Sequence, residues 1–134
     1  MNVRCLIVDD NSRFLETARN LLEHQGLTVV GVATTGAQAL RLAEELQPDV
    51  TLVDVGLGRE SGLDVARRLA GLTTPAPVIL ISTHAEEDFR ELVAASPAIG
   101  FLSKAALSAT AVRDLLARPG DGTSPDQVTG PSGR

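Results

Sequence analysis

The residues of this 134-residue chain that could carry chemistry stand where apolar runs end. Asp9 and Asp10 follow Cys5-Leu6-Ile7-Val8, Asp54 follows residues 50–53, Ser82 follows residues 78–81, and Lys104 follows residues 99–103. Each has a plain explanation when taken singly. An Asp pair after an apolar run usually makes a turn or a helix cap, a terminal Ser a turn, and a terminal Lys a solvated side chain. Gathered at one place they describe something else. Three close carboxylates repel one another and call for a cation. Magnesium prefers oxygen ligands in an octahedron and keeps several waters, so one or two carboxylates and a backbone carbonyl suffice. A carboxylate can attack phosphorus to give an aspartyl phosphate. A lysine and a metal would then neutralise the charge spread over the phosphoryl oxygens.

The elements that would position these residues alternate along the chain. Residues 5–8 read as a strand buried on both faces. Ser12 is expected to cap a first helix carrying Phe14, Ala18, Leu21 and Leu22 on one side, with Gly26 as its stop. Residues 27–32 form a second strand. Ala39, Leu42, Ala43 and Leu46 share a face of the second helix, which ends at Pro48. Residues 50–55 form the third strand, followed by a Gly-rich loop and a helix starting at Ser61. Residues 78–82 form the fourth strand, and Glu86, Glu87 and Asp88 open a fourth helix, where acids suit the dipole. Residues 99–103 form the fifth strand, and Ser108 caps the last helix. Five strand–helix repeats predict an α/β fold with a parallel five-stranded sheet covered on both faces. Ligands of such sheets bind at the carboxyl ends of the strands, the edge on which the singled-out residues fall.

Composition bounds the rest. The chain is 43% hydrophobic and 22% charged, with Phe14, Phe89 and Phe101 its sole aromatics, so one aliphatic core is expected. A net charge of -5 without a basic cluster argues against nucleic-acid binding by this chain alone. The lone Cys5 suits a reducing cytoplasm, and no apolar run approaches the ~20 residues of a membrane span. Residues 1–117 read as the domain. Residues 118–134, rich in Gly, Pro, Ser and Thr, read as a disordered tail or linker stub.

Residues 3–117 resemble the receiver domain of bacterial two-component response regulators, and the segment from Gly100 to Val112 resembles receivers attached to helix-turn-helix output domains of the LuxR type. The resemblance rests on Asp9-Asp10, Val53-Asp54, Ile81-Ser82 and Gly100-Phe101-Leu102-Ser103-Lys104, and on separations of 44 (Asp10 to Asp54), 28 (to Ser82) and 22 residues (to Lys104). It implies a flavodoxin-like, doubly wound α/β fold with strand order 2-1-3-4-5, and a phosphorylation switch that catalyses only its own phosphorylation and dephosphorylation. Asp54 would be the phosphoacceptor. Asp10 would ligate Mg2+ directly, Asp9 would help mostly through water, and Gly56 would offer its carbonyl. Lys104 would pair with Asp54 and the phosphoryl group. Ser82 would bond a phosphoryl oxygen and, with Phe101, form the switch. A sensor histidine kinase would be the donor, and the face of the fourth helix, fifth strand and fifth helix would change, supporting homodimerisation.

Two positions depart from that family. Gly58 stands where Pro is frequent, which predicts a more mobile loop, and Ala105 follows Lys104 where a cis-Pro is common, so a trans bond is expected. His84, two residues after Ser82, is either a surface histidine or a hindrance to incoming water. Other readings stay open: the receiver part of a longer DNA-binding transcriptional regulator, or an unphosphorylated scaffold. A haloacid-dehalogenase-type phosphatase needs a second Asp two residues after its nucleophile, where this chain has Gly56.

Overall fold

The computed structural model describes residues 2–83 and 90–118. His84, the expected helix opening at Glu86, Glu87 and Asp88, and residues 119–134 of the expected tail lie outside the described residues. Chain order is β1 (Arg4–Val8), α1 (Ser12–His24), β2 (Thr28–Ala33), α2 (Gly36–Leu46), β3 (Val50–Asp54), β4 (Gly56–Leu57), β5 (Glu60–Ser61), α3 (Gly62–Ala70), β6 (Val78–Ser82), α4 (Arg90–Ala94), β7 (Gly100–Ser103), a 3-10 turn (Lys104–Ala106) and α5 (Ala109–Ala117). Five parallel strands form one sheet in the order β2-β1-β3-β6-β7, which is 2-1-3-4-5 when only the parallel strands are counted.

The uninterrupted apolarity of the central strands follows from burial on both faces. Successive side chains point to opposite sides of a strand. Cys5 and Ile7 of β1, Leu52 of β3 and Ile79 and Ile81 of β6 therefore meet Leu15, Ala18 and Leu22 of α1 and Val112 and Leu115 of α5. Leu6, Val8, Val53, Leu80 and Phe101 face the other way, against Ala39 and Ala43 of α2 and Val65, Ala66 and Leu69 of α3. All five residues of β3 and of β6 are buried.

The local signals hold with three corrections. Asn11, rather than Ser12, caps α1: its side chain accepts from the backbone N–H groups of Arg13 and Phe14. Both residue types cap well; the chain enters extended at Asn11, leaving Ser12 already helical. Leu21 is 37% exposed, because the buried stripe of α1 runs through Leu15, Ala18 and Leu22 instead. The Gly-rich loop after β3 is an antiparallel hairpin, with Gly56 opposite Ser61 and Leu57 opposite Glu60. Gly58 takes φ +61° at its turn, a conformation that favours glycine and that proline's ring excludes. The expected cap Ser108 is in place, and the helix expected to start at Ser61 begins at Gly62 with Ser61 as its cap. The bond from Lys104 to Ala105 is trans.

Candidate functional site

The carboxyl ends of β1, β3, β6 and β7 open on one cleft of about 430 Å³ lined by Asp9, Asp10, Asn11, Asp54, Val55, Gly56, Ser82, Thr83 and Lys104. Parallel strands put like ends together, so residues 95 positions apart in sequence become neighbours. One carboxylate oxygen from each of Asp9, Asp10 and Asp54 lies within 4.8 Å of the others. Asp9 is fully buried and Asp54 is 8% exposed, while Asp10 is exposed at the mouth.

Each side chain is held from its own element. Asp9 donates its backbone N–H to Ala33 O at the end of β2 (3.0 Å), and its Oδ1 accepts from Asn11 N at 2.9 Å. Its Oδ2 faces Lys104 Nζ at 2.6 Å, and Lys104 Nζ lies 3.7 Å from Asp54 Oδ2. The ammonium is backed by the Phe14 ring, whose centroid is 4.2 Å away, within cation–π range. Asp54 ends β3, where Val55 donates to Ile81 O (2.9 Å) and fixes the strand end beside β6. Ser82, 4% exposed, closes β6 beside Ser103, and Phe101, 6% exposed, lies beside Leu80 in the core.

Burial pushes the Asp54 carboxyl up to about 6, and the negative charges of Asp9 and, to a smaller degree, Asp10 add to that. Lys104 and the Gly56 backbone N–H pull the other way. One ammonium does not balance three carboxylates. The ionic contact leaves the buried Asp9 Oδ2 without a hydrogen bond of good geometry. An all-oxygen donor set whose negative charge one ammonium does not balance fits a hard divalent cation such as Mg2+.

The structure thus gathers Asp9, Asp10, Asp54, Gly56, Ser82 and Lys104 at one cleft and places Phe101 beneath it in the core. Sequence reasoning missed Asn11 as the cap that orients the start of α1, and it missed Phe14 as the ring over Lys104. The amide-capping preference was a usable signal for Asn11; nothing local marked Phe14.

A doubly wound parallel sheet with three carboxylates and a lysine gathered at its carboxyl edge is suited to accept and hold a phosphoryl group. The family model of the response regulator receiver domain matches residues 5–116. A putative transcriptional regulator of Pseudomonas aeruginosa is 35% identical over 101 residues, covering 75% of this chain and 49% of the relative. The signal receiver domain of the putative response regulator NarL from Mycobacterium tuberculosis superposes with a TM-score of 0.78 at 33% identity, covering 87% of this chain and 98% of that one. A Burkholderia pseudomallei response regulator whose structure holds a phosphorylated aspartic acid, a calcium ion and citrate superposes at 0.72 with 26% identity, over 85% of this chain and 66% of that one. The chain belongs to the response-regulator receiver family, and it is a phosphorylation-driven conformational switch with Asp9, Asp10 and Asp54 as its acidic cluster. The chemistry that belongs to this domain is its own phosphorylation and dephosphorylation. The chain spans about half the length of that Pseudomonas relative. Among the described residues no helix is long and apolar enough to cross a membrane.

Proposed function

We propose that this receiver takes a phosphoryl group on Asp54 from a phosphohistidine of a sensor histidine kinase in the cytoplasm. The observation that carries the reading is the burial of Asp54 beside two carboxylates, with the Lys104 ammonium 3.7 Å from its Oδ2. A carboxylate oxygen of Asp54 attacks phosphorus, the P–N bond to the imidazole breaks as the P–O bond forms, and the leaving imidazole keeps the bonding pair and takes up a proton. Asp10, Asp54 and the Gly56 carbonyl would hold Mg2+, with Asp9 assisting mostly through water. That ion would supply charge neutralisation of the phosphoryl oxygens. Lys104 moves from Asp9 towards the new dianion, the stronger partner, and Ser82 donates its hydroxyl to a phosphoryl oxygen. The phosphorylated aspartate and calcium of the Burkholderia protein support this assignment by kinship.

Phe101 links the site to the surface as the switch residue. It lies beside Leu80 and also lines a groove of about 620 Å³ between α4, β7 and α5, with Val93, Ile99 and Leu115. Ile99 is 41% exposed there. That face would carry the conformational signal and support homodimerisation. The lengths of the relatives favour a second reading, the receiver part of a longer DNA-binding transcriptional regulator; whether the reading frame continues past Arg134 tests it. The central claim is tested by incubating the chain with Mg2+ and a small phosphodonor and weighing the intact protein. Wild type should gain one phosphoryl group and Asp54→Ala none; equal gain by both, or none by either, removes the assignment.

A further inference from the structure

The hairpin β4–β5 brings three groups to the cleft. The Gly56 N–H helps to lower the Asp54 carboxyl, the Gly56 carbonyl is the expected backbone ligand, and Gly58 sits so close to Asp10 that a Cβ there would come within 3.2 Å of Asp10 Oδ2. A two-residue ladder does not hold such a position by itself. Its base is closed by Gly62 N donating to Val55 O at 2.8 Å, and Leu57 is buried in the core. Its outer strand has a longer tether. Glu60 Oε1 accepts from the backbone N–H of Gly36, the first residue of α2, at 2.7 Å. Its Oε2 lies 3.9 Å from Arg68 Nη2 of α3.

The tether joins the hairpin to the same β2–α2 connection that positions Asp9. Ala33 accepts from Asp9 N, and Gly36 follows three residues later. The N-terminal amide of a helix suits a carboxylate on both hydrogen-bonding and dipole grounds. The space is matched as well. A Cβ at Gly36 would come within 2.9 Å of Glu60 Oε2 and of Val65 Cγ2, so the carboxylate has this approach because residue 36 is glycine.

We propose that Glu60 is a positioning residue for the phosphorylation site: by gripping the start of α2 it fixes the hairpin, and with it Gly56, over the cation position. The proposal rests on the metal-assisted reading of the site above. Glu60 touches neither phosphoryl group nor cation; it acts through the backbone of residues 56–60.

The test is calorimetric titration of Mg2+ into wild type and three variants, with amide hydrogen exchange at Gly56 followed by NMR in the metal-free protein. Glu60→Ala should raise the Mg2+ dissociation constant about tenfold, the lower end for losing a group that orients a metal's ligands, and should speed exchange at Gly56. Glu60→Gln keeps the acceptor oxygen and should restore both. Thr35→Val removes the other cap of α2, the hydroxyl that accepts from Gln38 N at 3.1 Å; it should lower the melting temperature and leave both readouts alone. Wild-type values in Glu60→Ala overturn the proposal, and so does an equal shift in Thr35→Val, which would reduce Glu60 to a helix cap. Should Glu60→Ala not fold, Glu60→Asp, one methylene short of Gly36, replaces it. A wild-type chain that binds no Mg2+ counts against the functional reading, while exchange at Gly56 still decides the tether.

Discussion

Lys104 Nζ lies 2.6 Å from Asp9 Oδ2 and more than an ångström farther from Asp54 Oδ2, so before phosphorylation the lysine is held by the buried member of the Asp pair. Asp9 is fully buried and Lys104 nearly so. Removing one partner of such a pair strands the other. Lys104→Met should destabilise the metal-free domain by about 3 kcal/mol at neutral pH, and saturating Mg2+ should return part of it. Urea denaturation with and without Mg2+ measures both; a loss unaffected by Mg2+ would mean that Asp9 does not contribute to the cation site.

The raised Asp54 carboxyl makes metal-free stability depend on pH with a definite sign. The folded value, about 6, exceeds the ordinary 3.8, so the folded state holds this proton more tightly than the unfolded chain. The contribution is complete below about pH 3.8 and is lost as pH rises through about 6, on the order of 3 kcal/mol in total. Added Mg2+ acts in the opposite window, where the carboxylate is ionised. The Mg2+-dependent rise in melting temperature should therefore be small at pH 5 and large at pH 7.5. Asp54→Asn should be more stable than wild type at pH 7.5 without metal and should lose most of the pH dependence in this window.

Gly62 is where α3 begins, and a Cβ on it would fall 1.9 Å from the backbone oxygen of Asp54. A backbone atom cannot swing aside as a side-chain tip does. Gly62→Ala should cost about 3 kcal/mol or more and, by displacing Asp54, slow its phosphorylation. Gly71→Ala, at a position with only ordinary contacts from 3.5 Å outward, is the matched control and should be near neutral in both urea midpoint and phosphodonor labelling.

Gly58→Pro would bring this chain to the residue frequent in its family, yet it should not stiffen the hairpin. At φ +61° the proline ring has no allowed place. The turn must open, with a stability loss above about 1 kcal/mol and weaker Mg2+ binding measured by calorimetry. Asn tolerates the left-handed region, so Gly58→Asn should keep the fold. Proline binding Mg2+ as tightly as glycine would show that the hairpin does not shape the site.

The sequence by itself determined the order of strands and helices, the doubly wound sheet, and which residues lie at its carboxyl edge. The reason is that strands buried on both faces must be apolar throughout, so the first Asp, Ser or Lys after each run marks the strand's end. Capping was legible at Ser108 and one residue off at the start of α1, because Asn11 and Ser12 are both good caps and only the path of the chain chooses between them. The tertiary structure alone decided that Lys104 pairs more closely with Asp9 than with Asp54, that Phe14 covers its ammonium, that the Gly-rich segment is a hairpin, and that Glu60 reaches Gly36 across 24 residues of chain. Hydrophobic period and turn chemistry act over a few residues. These contacts are set instead by how far apart whole elements come to rest once the core is packed.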